Sequence, residues 1–267
     1  MESGFQIRYS EEETCPVCGE PIRYGLIPMV GKEFRLNCKC EDELLRKEQA
    51  ARIATGDTII REEMRRASGV PGKYRKALLS AAAPARGQEQ AWQVCKDFIE
   101  RFRANRKTAG IYFIGGVGSG KTFLAAAVAG QVMDEWHIPA WEAERVADGN
   151  PPRYAPVKFA GTVELLERLK RSYTGKDEGE KDLLESLKRA PLLILDDLGA
   201  EKVTEWSRER LFEIIDYRYN EELPLLVTTN LKPEVLRAQL GERICDRLKE
   251  MCVFAPMSAV SQRRGSP

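Results

Sequence analysis

Gly115-Gly116-Val117-Gly118-Ser119-Gly120-Lys121-Thr122 matches G-x-x-x-x-G-K-[ST] at every fixed position. Each residue type has a task in gripping a nucleotide. Glycines let the backbone curl until several N–H groups face phosphate oxygens, and the positive end of the following helix adds to that field. Lys121 offers a point charge to the β- and γ-phosphates, and Thr122 offers a hydroxyl to a magnesium ion. Phe123 continues the nucleotide-binding segment into the helix. The competing use is a glycine turn of structural value alone. Strand, motif and helix agree here, which favours ATP with Mg2+.

A second constellation is Leu192-Leu193-Ile194-Leu195-Asp196-Asp197. A run of buried apolar residues delivers a pair of carboxylates to the C-terminal edge of a sheet, where ligands of α/β sheets bind. Asp196 is expected to hold the metal through water, and Asp197 to polarise the attacking water as a base or an orienter. Alone, such a pair is also what a polar strand end looks like. Leu225-Leu226-Val227-Thr228-Thr229-Asn230 ends another apolar run. Asn230 there can reach a γ-phosphate or the lytic water, although taken alone a turn-forming Asn is the favoured reading. Arg243 and Arg247 lie one helical turn apart and share a face. Spacing by itself favours a solvated face with Glu242 and Asp246 as partners.

A third constellation is sulfur. Cys15-Pro16-Val17-Cys18 and Cys38-Lys39-Cys40 give C-x2-C and C-x-C separated by nineteen residues. Four thiolates suit a closed, tetrahedral, structural zinc site. The segment has too few apolar residues for a core, and zinc binding supplies about 10–16 kcal/mol to folding. His137, the sole histidine in the sequence, lies far along the chain. Chance thiols or a redox pair are the alternatives, and the short second pair is less regular than usual.

These residues need elements to hold them. Residues 1–40 are punctuated by Gly and Cys, with extended candidates at Ile22–Leu26 and Phe34–Leu36. Residues 41–68 read as one or two helices, interrupted at Thr55-Gly56, and Gly69-Val70-Pro71-Gly72 as a stop. Further on, Trp92, Cys95, Phe98, Ile99 and Phe102 recur at helical spacing as a core face. Strands at 111–114, 157–160, 192–195 and 225–229 alternate with helices at 123–136, 162–173 and 208–219. Alternation of this kind implies an α/β fold with a parallel sheet. Residues 140–155 lack a period and read as a surface loop, and the tail after Pro256 reads as loose. The expected domains are 1–68 (zinc-binding and helical), 69–84 (linker) and 85–267 (ATPase). Arg61 to Lys76 is basic, and a solvated helix face is favoured there over DNA-backbone contact. Tyr74 is expected to pack on the ATPase domain.

The bulk numbers exclude little. Of 267 residues, 42 are Lys or Arg and 41 are Asp or Glu, so net charge points to no partner. No apolar run is long enough to cross a bilayer, and the first ten residues lack the apolar stretch of a secretory signal. A cytoplasmic protein with no membrane partner is expected.

The P-loop, then Leu195-Asp196-Asp197-Leu198-Gly199, then Thr228-Thr229-Asn230-Leu231, then Gly241-Glu242-Arg243-Ile244-Cys245-Asp246-Arg247-Leu248, together resemble the DnaC/DnaI/IstB branch of AAA+ ATPases. The resemblance covers roughly residues 70–265. It implies a P-loop AAA+ sheet flanked by helices, without a C-terminal lid domain, preceded by a small zinc-binding and helical domain. It implies that Asn230 is sensor 1, and that Arg247 is an arginine finger acting on a neighbour's nucleotide with Arg243 as its companion. It also implies ATP-dependent self-assembly into an oligomer. Two functions live in this branch. Helicase loaders bind a hexameric replicative helicase and help place it on single-stranded DNA; IstB-type helpers serve a transposase and bind duplex DNA. The cysteine segment resembles zinc modules on loaders, where the N-terminal domain grips the helicase, so the loader is favoured. Arg263 and Arg264 lie near the end of the chain, where loaders carry a Gly-x-Ser-x-Arg string, and no role is carried over to them.

Overall fold

The computed structural model describes residues 6–27, 31–174, 179–200 and 203–257. The chain divides into two compact units, 1–59 with 138–151, and 60–137 with 152–267. By contacts the first unit ends at residue 59, inside the helical stretch, and takes in residues 138–151.

The first unit opens with three antiparallel strands, β1 (Gln6–Thr14), β2 (Pro21–Ile27) and β3 (Lys32–Leu36), in the order β1-β2-β3. Helix α1 (Lys39–Ala67) follows. It is continuous, which corrects the break expected at Thr55-Gly56. The hydroxyls of Thr55 and Thr58 donate back to the carbonyls of Ala51 and Ala54, each at 2.9 Å, so both threonines are accommodated within the helix. Gly56 is there for space: a Cβ would lie 1.8 Å from the carbonyl oxygen of Ala143.

The second unit begins with the end of α1 and a short 3-10 turn at Gly72–Tyr74. Residues 69–84 include packed positions. Val70 and Leu79 are buried, and a Cβ on Gly130 would lie 2.2 Å from the Ala77 carbonyl. Tyr74 meets Phe123 edge to face at 6.1 Å, as expected for packing on the ATPase core. Helix α2 (Glu89–Ala104) buries Trp92, Cys95, Phe98, Ile99 and Phe102, the face its spacing predicts. Strand β4 (Gly110–Gly115) leads to α3 (Lys121–Asp134), which is apolar nearly all round and buried accordingly.

After α3 in sequence, residues 140–155 are not a featureless loop. Helix α4 (Ala140–Ala147), part of the first unit, forms after Pro139 and buries Ala143, Val146 and Glu142. Glu142 is paired with Arg145 at 2.7 Å. Gln49 and Arg52 of α1 bond Glu144 and Asp148, each at 2.6 Å. The second unit continues with β5 (Val157–Gly161), α5 (Thr162–Thr174), α6 (Gly179–Arg189), β6 (Leu192–Asp196), α7 (Glu205–Asn220), β7 (Leu225–Thr229), α8 (Pro233–Leu240), α9 (Glu242–Met251) and β8 (Cys252–Met257). The sheet order is β5-β6-β7-β4-β8, and every neighbouring pair is parallel. Strand β8 was not anticipated. It holds an edge, where Pro256 is tolerated. Central strands β6 and β7 are buried at every position, matching their unbroken apolar runs.

Arg218 of α7 is fully buried and caps the C-terminal end of the helix Gly179–Arg189. It donates to the carbonyls of Leu187, Lys188 and Ala190 at 2.9, 3.0 and 2.9 Å, and to that of Pro224. Burial lowers its pKa to about 9.

Candidate functional site

The glycine loop lies between β4 and α3, at the C-terminal edge of the sheet. Gly118 and Gly120 have φ of 83° and 94°, where a Cβ would strain the backbone. Gly120 caps α3 without any side-chain hydrogen bond, so the first N–H groups of that helix have no side-chain cap. Lys121 is buried, and its Nζ donates to the carbonyls of Gly115 and Gly116 at 2.8 and 2.9 Å and to Asn230 Oδ1 at 2.7 Å. Burial lowers its pKa, and the nearby charges of Asp197 and Asp196 oppose that shift. A buried cation held mainly by carbonyl dipoles is what an incoming phosphate would satisfy.

Asp196 and Asp197 leave β6 in different directions. Thr122 Oγ1 lies 3.0 and 3.1 Å from the two oxygens of Asp196, bringing together the pair expected at magnesium. Burial raises the pKa of Asp196, with the Thr228 and Thr122 hydroxyls pulling the other way. A divalent cation would offset that desolvation. Asp197 is one of two non-glycine residues with positive φ among those described, at 55°. Its Oδ1 accepts from Asn230 Nδ2 at 2.9 Å. Lys121, Asn230 and Asp197 thus form one hydrogen-bonded chain linking three separate sequence motifs.

The site also uses residues that the motifs did not single out. Thr228 is buried beneath the acidic pair. Its hydroxyl donates to Asp196 Oδ1 at 2.7 Å and accepts the Asp197 backbone N–H at 2.9 Å, so one side chain fixes one carboxylate and the strained backbone of the next residue. Gln88 is buried under the loop and donates to the Ser119 carbonyl at 2.7 Å. A Cβ on Gly120 would lie 2.4 Å from its amide nitrogen. Neither contact was legible, because each partner is some thirty residues away along the chain. Beside the loop opens a cleft of about 460 Å³, lined by Tyr74, Gln88, Val117, Lys121, Thr122 and Asp197 among others. That volume is within the range of small-molecule sites.

Arg243 and Arg247 do not line this cleft. Arg243 is exposed on α9. Arg247 bonds Asp216 at 3.2 Å and stacks on the Tyr219 ring at 4.0 Å. The acids expected to pair with this face are otherwise engaged: Glu242 and Asp246 meet Arg237, at 3.4 and 3.1 Å.

The cysteines form a separate site in the first unit. Cys15 and Cys18 flank a turn in which Gly19, at φ 71°, donates its N–H to the Cys15 carbonyl at 2.9 Å. Cys38 and Cys40 sit where β3 hands over to α1, with the Cys38 N–H bound by Glu41 at 2.9 Å. The Sγ atoms of Cys15, Cys18, Cys38 and Cys40 all lie within 4.8 Å of one another. Three of the separations are 2.8, 3.3 and 3.4 Å, all shorter than the value of about 3.8 Å that tetrahedral Zn–S bonds of about 2.3 Å imply. The backbone N–H groups of Cys18 and Val17 lower the Cys15 thiol to about 6, which favours the thiolate a metal requires, whereas the Cys38 sulfur and burial push the Cys40 thiol up. The donor set fits zinc, and the short C-x-C spacing is accommodated by the first turn of α1.

Residues 152–265 match a family model described as IstB-like ATP binding protein. That segment is similar to this family. The IstB-like match starts after the P-loop, which rests on its own motif and geometry. The chain is 27% identical over 187 residues to the replicative helicase loader DnaI of Bacillus subtilis, covering 66% of this chain and 54% of that protein. It is 24% identical over 163 residues to the replicative helicase loader DnaC of Escherichia coli, covering 61% and 58%. The chain therefore spans little more than half the length of these curated relatives. A crystal structure of the DnaC helicase loader superposes with a TM-score of 0.54 at 28% identity, covering 70% of this chain and 99% of that one. The fold around the IstB-like segment is that of the AAA+ ATPases, as the motifs implied. Among the described residues, no helix is long and apolar enough to cross a membrane. Arg263 and Arg264 lie outside the described residues.

Proposed function

We propose that this chain is an ATP-driven helicase loader in DNA replication, which binds a hexameric replicative helicase and assists its placement on single-stranded DNA. The observation that carries the reading is the Lys121–Asn230–Asp197 chain beside the Thr122–Asp196 pair, in a protein similar to DnaI and DnaC loaders. In this reading residues 115–123 wrap the phosphates of ATP and Lys121 neutralises them. Thr122 and Asp196 hold magnesium, whose part is to bridge phosphate oxygens and draw off charge. Asp197 and Asn230 orient the attacking water. Arg247, with Arg243 one turn away, comes from a neighbouring subunit of an ATP-dependent oligomer. Cys15, Cys18, Cys38 and Cys40 hold a structural zinc. Residues 1–68 grip the helicase, 69–84 connect, and 85–267 form the ATPase; the protein works in the cytoplasm.

The test is co-elution of the full chain with the hexameric helicase from the same genome, with and without ATP. Complex formation that ATP strengthens, and that Lys121→Ala weakens, supports the loader. No contact under any nucleotide condition would sink it. ATP-dependent binding of duplex DNA without helicase contact would point instead to a transposition helper.

A further inference from the structure

Arg247 is held by a specific set of side chains on α7. Its Nε donates to Asp216 Oδ1 at 3.2 Å. Its guanidinium lies over the Tyr219 ring, 4.0 Å from the centroid. The ring is fixed in turn, because the Tyr219 hydroxyl donates to Glu250 on α9. Asp216 is also fixed, because its second oxygen accepts from Asn220 Nδ2 at 3.1 Å. Asp216, Tyr219 and Asn220 are spaced i, i+3 and i+4 on α7, and Arg247 and Glu250 are spaced i and i+3 on α9, so each set shares one helical face. Arg247 and Asp216 remain partly open to solvent, at 35% and 29% side-chain exposure. This is not a buried structural pair of the kind Arg218 represents.

The orientation matters. An arginine grips phosphate through its terminal amino groups, in a fork. The bond to Asp216 spends Nε, and the stack spends one face of the plane. The terminal pair lies outside that bond. An unrestrained arginine loses rotamer entropy on being fixed. A side chain already fixed in one direction loses less when it meets a phosphate.

We propose that Asp216 and Tyr219 are positioning residues for Arg247, holding its guanidinium against α7 in the attitude needed to reach a nucleotide bound by a neighbouring subunit. The inference rests on the reading of Arg247 as a residue acting in trans, and the experiment separates the two.

The test mixes full-length subunits at saturating Mg-ATP. The acceptor is Arg247→Ala, which has its own ATP site but offers no arginine. The donor is Asp197→Asn, which binds ATP without turning it over but carries Arg247. Mixing should restore hydrolysis that neither variant shows alone. Donors that also carry Asp216→Ala, or Tyr219→Ala, should restore on the order of tenfold less, a fraction of the 10³ or more an arginine finger is worth. A donor with Asp216→Asn, which keeps an oxygen acceptor, should fall between. In the single variant Asp216→Ala, kcat should drop while KM for ATP and the sedimentation profile hold. If Asp216→Ala donors restore activity as fully as Asp197→Asn alone, the positioning role is overturned and the trans role of Arg247 stands. If Asp197→Asn donors restore nothing, the trans role fails and the positioning inference fails with it. A lower Tm without a change in kcat would mark Asp216 as a helix–helix brace and overturn the proposal.

Discussion

The nucleotide site and the cysteine cluster are both built where a strand hands over to a helix, yet they are held by opposite means. Strand β4 is largely buried, and α3 behind the P-loop is buried along most of its length. The loop is fastened from below by Gln88 and from the side by Asn230. Strand β3 is exposed at four of its five positions, and its sheet shows Ile7 and Tyr9 to solvent at 49% and 61%. There is little apolar burial around Cys15 and Cys38 to oppose chain entropy. The P-loop is therefore pre-formed by the core of the second unit. On the zinc reading, the three-stranded sheet depends on the metal that its four sulfurs would hold.

The largest break in that comparison should come from the sulfurs. Replacing Cys15 and Cys18 by Ser removes a metal contribution of about 10 kcal/mol or more. Limited proteolysis should then cut within residues 6–37, while the fragment from residue 60 onward survives and still binds ATP. Equal resistance before and after the substitution would remove the zinc assignment.

On the other side, Arg218→Met should cost about 3–5 kcal/mol in a denaturant titration, because it strands the carbonyls of Leu187, Lys188, Ala190 and Pro224 in a dry interior. The nucleotide site should fall with it, since β6 and β7 run out of that region to reach Asp196 and Asn230.

A smaller and more local effect is expected of Thr228→Val. The shape is kept, but Asp196 loses a hydroxyl donor and the Asp197 N–H loses its acceptor. Magnesium dependence of hydrolysis should shift to concentrations about tenfold higher, equivalent to about 1.4 kcal/mol, and the Asp197 N–H left without an acceptor should lower Tm by a few degrees.

The smallest effect concerns pH. Asp196 has its folded-state pKa raised by burial above 3.8. Between 3.8 and that raised value the folded chain binds more protons than the unfolded one, so stability falls as pH rises through the window. Asp196→Asn should flatten that slope in thermal melts without magnesium, and should abolish the stabilisation that Mg-ATP provides.

The same contrast explains what was legible in the sequence. Strands β4, β6 and β7 and the buried face of α2 were visible because burial leaves a pattern in adjacent residues. The P-loop and Asp196-Asp197 were visible because their chemistry needs contiguous residue types. Thr228 and Gln88 were not, because their roles depend on partners brought together by the sheet. Helix α4 was hidden by Gly149-Asn150-Pro151-Pro152, which lies just past its end and dominates the stretch. Strand β8 was hidden by Pro256, a residue that reads as a breaker unless the strand is known to be an edge. The apparent break at Thr55-Gly56 was a close contact with Ala143 seen without its partner. The arginines were legible by resemblance alone, and α7, which holds Arg247, was not connected to them by any spacing.

The central claim is that Lys121, Asn230 and Asp197 form one hydrolytic site. It is tested most directly by measuring Mg-ATP binding and turnover together in Asp197→Asn. The account predicts that binding stays within about twofold of wild type while turnover falls about 10³-fold or more, as expected when the group orienting the nucleophile is removed from an otherwise intact electrostatic cradle. Turnover that persists at the wild-type rate in Asp197→Asn would contradict it.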